Sequence, residues 1–302
     1  MVTGNGRCNI SNTSISVDRY HGHNPRFVNN VFGKFGLQET PDFFLEIGLP
    51  VAELEEGRLY PVSLRASSVA EILEYEAIKR GAEIRLHRQI DAIEKKDGRF
   101  SLTTAGKEQF SFDRVILATG SCAYPQLGGS TAGYELARSL GHTIHEPFPS
   151  ILPLGIPLKA LHKLQGIKYQ AAVRVMEKGK VKQTAEGELL FTGYGLSGPA
   201  ALDISRCVNE MVIRGEIPDI LIDLYPGYGE KELLAMVESA WNDGDKTVAF
   251  SISGIMHKKT AEVLAEMAGL DPHDKVNNCS KTRKNSLVSL MKNLKVMPGQ
   301  PR

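Results

Sequence analysis

The chain has 302 residues, a formal charge of +1 and 42% hydrophobic residues, enough to bury a large core and to build two domains. That balance gives no electrostatic push toward nucleic acid or an acidic membrane, so the expected partner is a small molecule. Cys8, Cys122, Cys207 and Cys279 are far apart, without CxxC or Cys/His spacing for a metal site, and read as reduced thiols of a cytoplasmic protein. No apolar run approaches the roughly 18 residues of a membrane span.

The chain opens on Thr3-Gly4-Asn5-Gly6-Arg7-Cys8-Asn9, a dense turn-forming cluster. Two glycines, an arginine and two asparagines could wrap an anionic, hydrogen-bonding ligand such as a nucleotide pyrophosphate, through backbone N–H groups and a guanidinium. A frayed polar N-terminus explains the same residues. Phe27, Phe32, Phe35, Phe43 and Phe44 follow at helical spacing and are expected in the core. Next come Arg58, Tyr60 and Ser63 on an irregular segment, then a helix to about Lys79 with Ser67 or Ser68 as N-cap, apolar face Val69, Ile72, Leu73 and Ala77, and Gly81 as its end.

Residues 83–118 read as three strands: 83–93, 99–104 after the Asp97-Gly98 turn, and 109–118. The last ends in Val115-Ile116-Leu117-Ala118-Thr119-Gly120, an unbroken apolar run that suits a strand covered on both faces in a parallel α/β sheet. Ligands of such sheets lie beyond the carboxyl ends of the strands, where Thr119 and Gly120 would allow a close approach. Glycines 128, 129 and 133 then precede a helical pattern, Tyr134 to Leu140.

After Pro147 and Pro149 the pattern changes to short strands, 167–177 and 187–192, suited to a small antiparallel barrel. Gly193-Tyr194-Gly195-Leu196-Ser197-Gly198 satisfies GxGxxG between strand-like and helix-like segments. Pro199 would start a helix after any loop, however, and no further βα units follow to build a nucleotide-binding sheet. Helices are predicted over 230–241, 260–267 with Gly269 as C-cap, and 281–294. The last carries Lys281, Arg283, Lys284, Lys292 and Lys295, a basic face read as solvated. His257 and His273 read as surface or capping residues.

Four ordered motifs, TGNGRCN at 3–9, GRLYPVSLRASS at 57–68, ILATGSCAYPQLGGSTAGY at 116–134 and LLFTGYGLSGPA at 189–200, together resemble the FAD-binding, two-dinucleotide-binding-domain flavoproteins that include aminoacetone oxidase and the BaiN-type bile-acid reductases. Thr131 stands where that family commonly has another glycine. The resemblance implies an α/β fold: a partial FAD-binding, Rossmann-like domain over 1–148 and an inserted domain over 149–302, with a small β-barrel at 149–227 and a helical part at 228–296. It implies that Asn5, Gly6, Arg7, Cys8 and Asn9 line the flavin, that the main chain near Ile90 touches the adenine, and that Thr119 and Gly120 pass close to the dinucleotide. The family's leading GxGxxG unit and its closing Gly/Asp-rich segment have no counterpart in these residues, so the sequence reads as a fragment of such a protein.

The function expected by resemblance is an FAD-dependent oxidoreductase acting on a small organic substrate, with NAD(P)H as a possible reductant. The cofactor carries the hard chemistry, so a catalytic side chain need not be visible. None is identified, and Arg58 and Tyr60 are the candidates for polarising a substrate. Two rivals stand beside it: an NAD(P)-binding protein centred on 193–198, and a non-catalytic fragment unable to hold FAD.

Overall fold

The computed structural model describes residues 6–22 and 24–299. The chain divides into two compact units, Met1–Ile116 and Leu117–Arg302.

In the first unit, β1 (Ser11–Asn12) is followed by 3-10 turns at 17–19 and 25–27 and the short helix α1 (Val28–Phe32). Helix α2 (Glu39–Glu46), β2 (Val51–Glu53), β3 (Arg58–Pro61) and α3 (Ala66–Lys79) come next, then the meander β4 (Ile90–Lys96), β5 (Arg99–Thr104) and β6 (Gln109–Phe112). One sheet has the order β1-β3-β2 and the other β4-β5-β6, with every pairing antiparallel. Asp97 and Gly98 both take positive φ, 50° and 78°, the two-residue turn that matches strand twist. A small core of Ile47, Leu49 and Val69 gathers Phe43, Phe44, Cys8, Ile10 and Ile72 around it.

Several expectations change here. Helix α3 starts at Ala66 with Arg65 as its N-cap, so Ser67 and Ser68 lie inside its first turn. Phe27 and Phe35 are 61% and 49% exposed, because the helical spacing that would bury them is broken into a 3-10 turn and the five-residue α1. Residues 83–89 form no strand, and Leu86 is 72% exposed. The run 115–118 likewise forms no strand, and Ile116 is 90% exposed. An apolar strand of this kind is buried only when neighbours cover both faces, and among the described residues no strand pairs with it.

The second unit opens with α4 (Ala132–Ser139), β7 (Leu154–Gly155) and α5 (Lys159–His162), then the long hairpin β8 (Lys168–Glu177) and β9 (Lys180–Thr192). Strand β10 (Gly195–Ser197) leads into α6 (Pro199–Ile213) and β11 (Asp219–Asp223), and four helices follow. They are α7 (Glu230–Ala240), α8 (Val248–Ser251), α9 (Lys258–Met267) and α10 (Lys281–Lys292), and β12 (Leu294–Val296) closes the series. The six strands form one antiparallel sheet, β12-β11-β8-β9-β10-β7. Gly299 N–H, just past β12, donates to Gly155 O of β7 at 2.8 Å, so the sheet curls and its edges meet there, with β12 drawn in from beyond the 149–227 expected for a barrel.

Inside, Val173, Val175, Leu189, Phe191, Ile204, Val208, Ile220 and Ile222 are fully buried, in one cluster that runs from Leu154 to Val296. The small Ala200 and Ala201 let α6 lie close on β8 and β9. Its two buried polar side chains are spent on the segment before β7: Ser205 Oγ accepts from Leu152 N–H, and Asn209 Nδ2 donates to Pro149 O. His257 caps α9 by accepting from Lys259 N–H at its Nδ1. Among the described residues no helix is long and apolar enough to cross a membrane.

The GxGxxG match resolves as hairpin chemistry. Gly193 and Tyr194 are the turn between β9 and β10, with Thr192 paired to Gly195. Gly195 and Leu196 are buried strand residues, so this segment is not a nucleotide loop.

Three of the five cations expected to make a basic face at 281–295 are neutralised by acids on other elements: Lys284 and Lys292 of α10 pair with Glu238 and Asp223, and Lys295 of β12 pairs with Asp219. Lys292 Nζ sits 2.6 Å from Asp223 Oδ2, with both side chains nearly out of solvent, and also donates to the carbonyls of Tyr225 and Tyr228. Lys292→Met would strand a carboxylate and two carbonyls, and should cost about 3 kcal/mol, read as a lower urea midpoint. Lys292→Met/Asp223→Asn should recover part of it; an unchanged midpoint in the single variant would rule out the structural role.

Candidate functional site

In the first unit, β1 and β3 pair with Ser11 opposite Leu59 and Asn12 opposite Arg58. Flanking bonds from Ile10 N–H to Leu59 O and from Thr13 N–H to Gly57 O, both 2.8 Å, extend the ladder. The Asn12 side chain then closes a turn on itself: Oδ1 accepts from Ser14 N–H at 2.7 Å and Nδ2 donates to Glu56 O at 3.1 Å. Only glycine fits opposite. A Cβ on Gly57 would lie 2.5 Å from Thr13 Oγ1 and 2.9 Å from Asn12 Oδ1, at a φ of +74°.

This arrangement walls a cleft of about 810 Å³, lined by Asn9, Asn12, Ser14, Arg19, Glu56 and Arg58 among others. The Arg58 guanidinium pairs with the Glu56 carboxylate at its rim. Beside it, Asp18 is held below the usual carboxylate range by the Ser16 hydroxyl first, then by its own backbone N–H and the Arg19 charge. Arg19 and Arg58 are thus matched by two carboxylates, Glu56 and Asp18, in and beside the cleft.

In the loop before β1, Cys8 and Ile10 pack on the Ile47–Leu49–Val69 core, and Asn9 and Ile10 line the cleft. Cys8 anchors the loop, with a φ of 60° that is unusual for a residue with a side chain. Gly6 and Arg7 are exposed and do not line the cleft, and Asn5 lies outside the described residues. Of the residues expected to face a ligand, Asn9 and Arg58 thus meet in one place. Tyr60 is on β3 opposite Ala52 and outside the lining. Ile90 begins β4, paired with Thr104 just before a register shift, and is separate from the cleft. Asn12, Ser14, Arg19 and Glu56 escaped the sequence reading; the Asn-Thr-Ser turn directly after TGNGRCN was the signal for the first two.

In the second unit, Thr119 and Gly120 follow the exposed run. A Cβ added at Gly133 would fall 1.9 Å from Thr119 Oγ1 and 2.8 Å from Thr119 Cβ. The Ala-Thr-Gly turn therefore packs directly on the first turn of α4, and glycine at 133 is what permits the contact.

The description that matches the chain is "HI0933-like protein Rossmann domain", over residues 1–269. The chain belongs to this family. It is 34% identical over 273 residues to the 3-dehydro-bile acid delta(4,6)-reductase of Clostridium scindens, an alignment covering 89% of this chain and 65% of that protein. It is 27% identical over 306 residues to the ribosomal RNA dihydrouridine synthase of Haemophilus influenzae, covering 99% and 72% respectively. Against the enzyme of the same name from Escherichia coli it is 28% identical over 229 residues, with 74% and 56% covered. The chain thus spans about two thirds of the length of the first relative.

The cleft of the first unit offers amide, hydroxyl and guanidinium donors, a lining that fits the polar part of a dinucleotide. In the second unit, the missing Cβ at Gly133 is what admits the Thr119 side chain. Gly133→Ala gains helix propensity of about 1 kcal/mol, but its Cβ meets Thr119 well inside contact distance. Sterics should win, with a net loss of roughly 1–3 kcal/mol and faster proteolysis within 119–133. Thr119→Gly in the same chain should restore resistance; equal proteolysis of Gly133→Ala and the parent would refute the contact.

Proposed function

We propose that this protein is a flavin-dependent oxidoreductase that saturates a carbon–carbon double bond conjugated to a carbonyl. The observation that carries the reading is the shared electronic feature of two relatives with different substrates. A 3-dehydro, delta(4,6) bile acid holds its double bonds in conjugation with the 3-ketone. Uridine holds C5=C6 in conjugation with its C4 carbonyl, and dihydrouridine lacks that double bond. Each reduction adds two electrons and two protons across a bond that the carbonyl has made electrophilic at its far carbon.

FAD in such a site would supply two-electron chemistry, with NAD(P)H as the reductant we propose. The chain's own part is to bind and orient. Asn9 and Ser14 offer hydrogen bonds to polar edges of a ligand in the cleft, while Glu56 fixes the Arg58 guanidinium. A guanidinium so held can accept developing negative charge on a carbonyl oxygen without reorganising. Thr119 and Gly120 are proposed cofactor contacts because the turn they form is locked onto α4. Four cysteines that are all free suit a cytoplasmic location.

The test is the visible spectrum of purified protein after incubation with FAD and desalting, followed by anaerobic reduction and mixing with a 4-en-3-one steroid or with uridine-containing RNA. Retained flavin bands that reoxidise with loss of the enone or uracil absorbance are expected. Arg58→Ala should lower kcat/KM about tenfold or more, the scale of one charge-assisted hydrogen bond. A folded but colourless protein would favour the non-catalytic reading and defeat this one.

A further inference from the structure

The segment that leads away from the cleft repeats a pair. Arg19 is followed by Tyr20, Arg26 by Phe27 and Lys34 by Phe35. All three cations are exposed, and the rings after them keep 37%, 61% and 49% of their surface in solvent. From Gly6 to Phe35 the chain carries Arg7, Arg19, Arg26 and Lys34 against one acid, Asp18. Among the described residues none of these four cations enters a salt bridge, in contrast to Lys284, Lys292 and Lys295.

The pairs lie on neighbouring elements, and the last ring, Phe35, leans edge-on against Phe43 at 6.2 Å while half of its surface stays in solvent. The turns at 17–19 and 25–27 touch, and the second runs straight into α1. The Tyr20 ring meets Phe32 edge-on at 5.5 Å, and Arg19 and Tyr20 themselves line the cleft. Cations alternating with open rings match a nucleic-acid single strand, whose phosphates and unstacked bases alternate in the same way. A duplex offers no open base faces to the rings. A steroid would want an enclosed apolar wall, and the cations interrupt one here. A lipid surface shares part of this chemistry, but Arg19 and Tyr20 share their cleft with Asn9, Asn12 and Ser14, a polar destination that suits a base.

We propose that Arg19, Tyr20, Arg26, Phe27, Lys34 and Phe35 form a binding surface for single-stranded RNA, which delivers a uridine to the cleft. The inference rests on the reductase reading above for what happens there, and it names RNA as the substrate class.

The test uses the full chain and a short labelled uridine-rich RNA, followed by fluorescence anisotropy across a salt series. The parent should bind single-stranded RNA more tightly than the corresponding duplex. Arg26→Gln/Lys34→Gln should flatten the log–log salt slope by about 1.4, at about 0.7 per phosphate contact. Phe27→Ala should weaken binding about tenfold or more at an unchanged slope, the loss of one stacked base. Circular dichroism checks folding, which these exposed positions should leave intact. Equal binding by all variants, a preference for duplex, or displacement of the RNA by anionic vesicles would each overturn the surface. Flavin reoxidation by a free 4-en-3-one steroid is scored separately. Normal reoxidation without RNA binding overturns the surface alone, whereas variant-sensitive RNA binding without reoxidation supports the surface and overturns the reductase reading.

Discussion

The second unit depends on the ladder between β8 and β9. Strand β8 is ten residues long and paired throughout to a partner of thirteen. The hairpin is local in sequence, so its closure costs little loop entropy, and it presents Val173, Val175, Leu189 and Phe191 as one wall. Everything else is added to that wall. Helix α6 covers it, β11 and β12 extend one edge, and β10 and β7 extend the other. The first unit has no element of comparable span, and its core is correspondingly small.

That difference sets what the sequence reveals. Helices α7, α9 and α10 begin and end within two residues of their expected bounds, because amphipathic period and terminal signals are properties of the segment itself. The Asp97-Gly98 turn is equally local. Residues 115–118 have the composition of a buried strand, but burial is a property of neighbours, and Ile116 stands in solvent. Phe27 and Phe35 fail for the same reason: spacing assigned them a face, but no long helix formed to present it. The 193–198 loop shows the converse, a pattern satisfied by residues whose roles are strand pairing and a tight turn.

The candidate site was half legible. Asn9 could be placed from its glycine-rich setting and Arg58 from its place before a helix. Asn12, Ser14 and Glu56 join them only through the pairing of β1 with β3, forty-odd residues apart in sequence. Charge behaves similarly. A total of +1 describes neither the paired lysines at 284 and 292 nor the cations between 7 and 34 that form no salt bridge among the described residues, because an average over the chain erases local sign.

The bond between Gly299 and Gly155 bears on how such a module can be arranged along a polypeptide. It brings the chain's entry into the curled sheet and its exit from it side by side. A unit whose two ends lie together asks of a host only that one surface loop be opened, and the host's own sheet need not stretch to receive it. The same adjacency means that joining those ends and cutting at the Gly193-Tyr194 turn would yield a permuted unit with the same six strands in the same order. Nearness of the ends makes the curled sheet portable between chains.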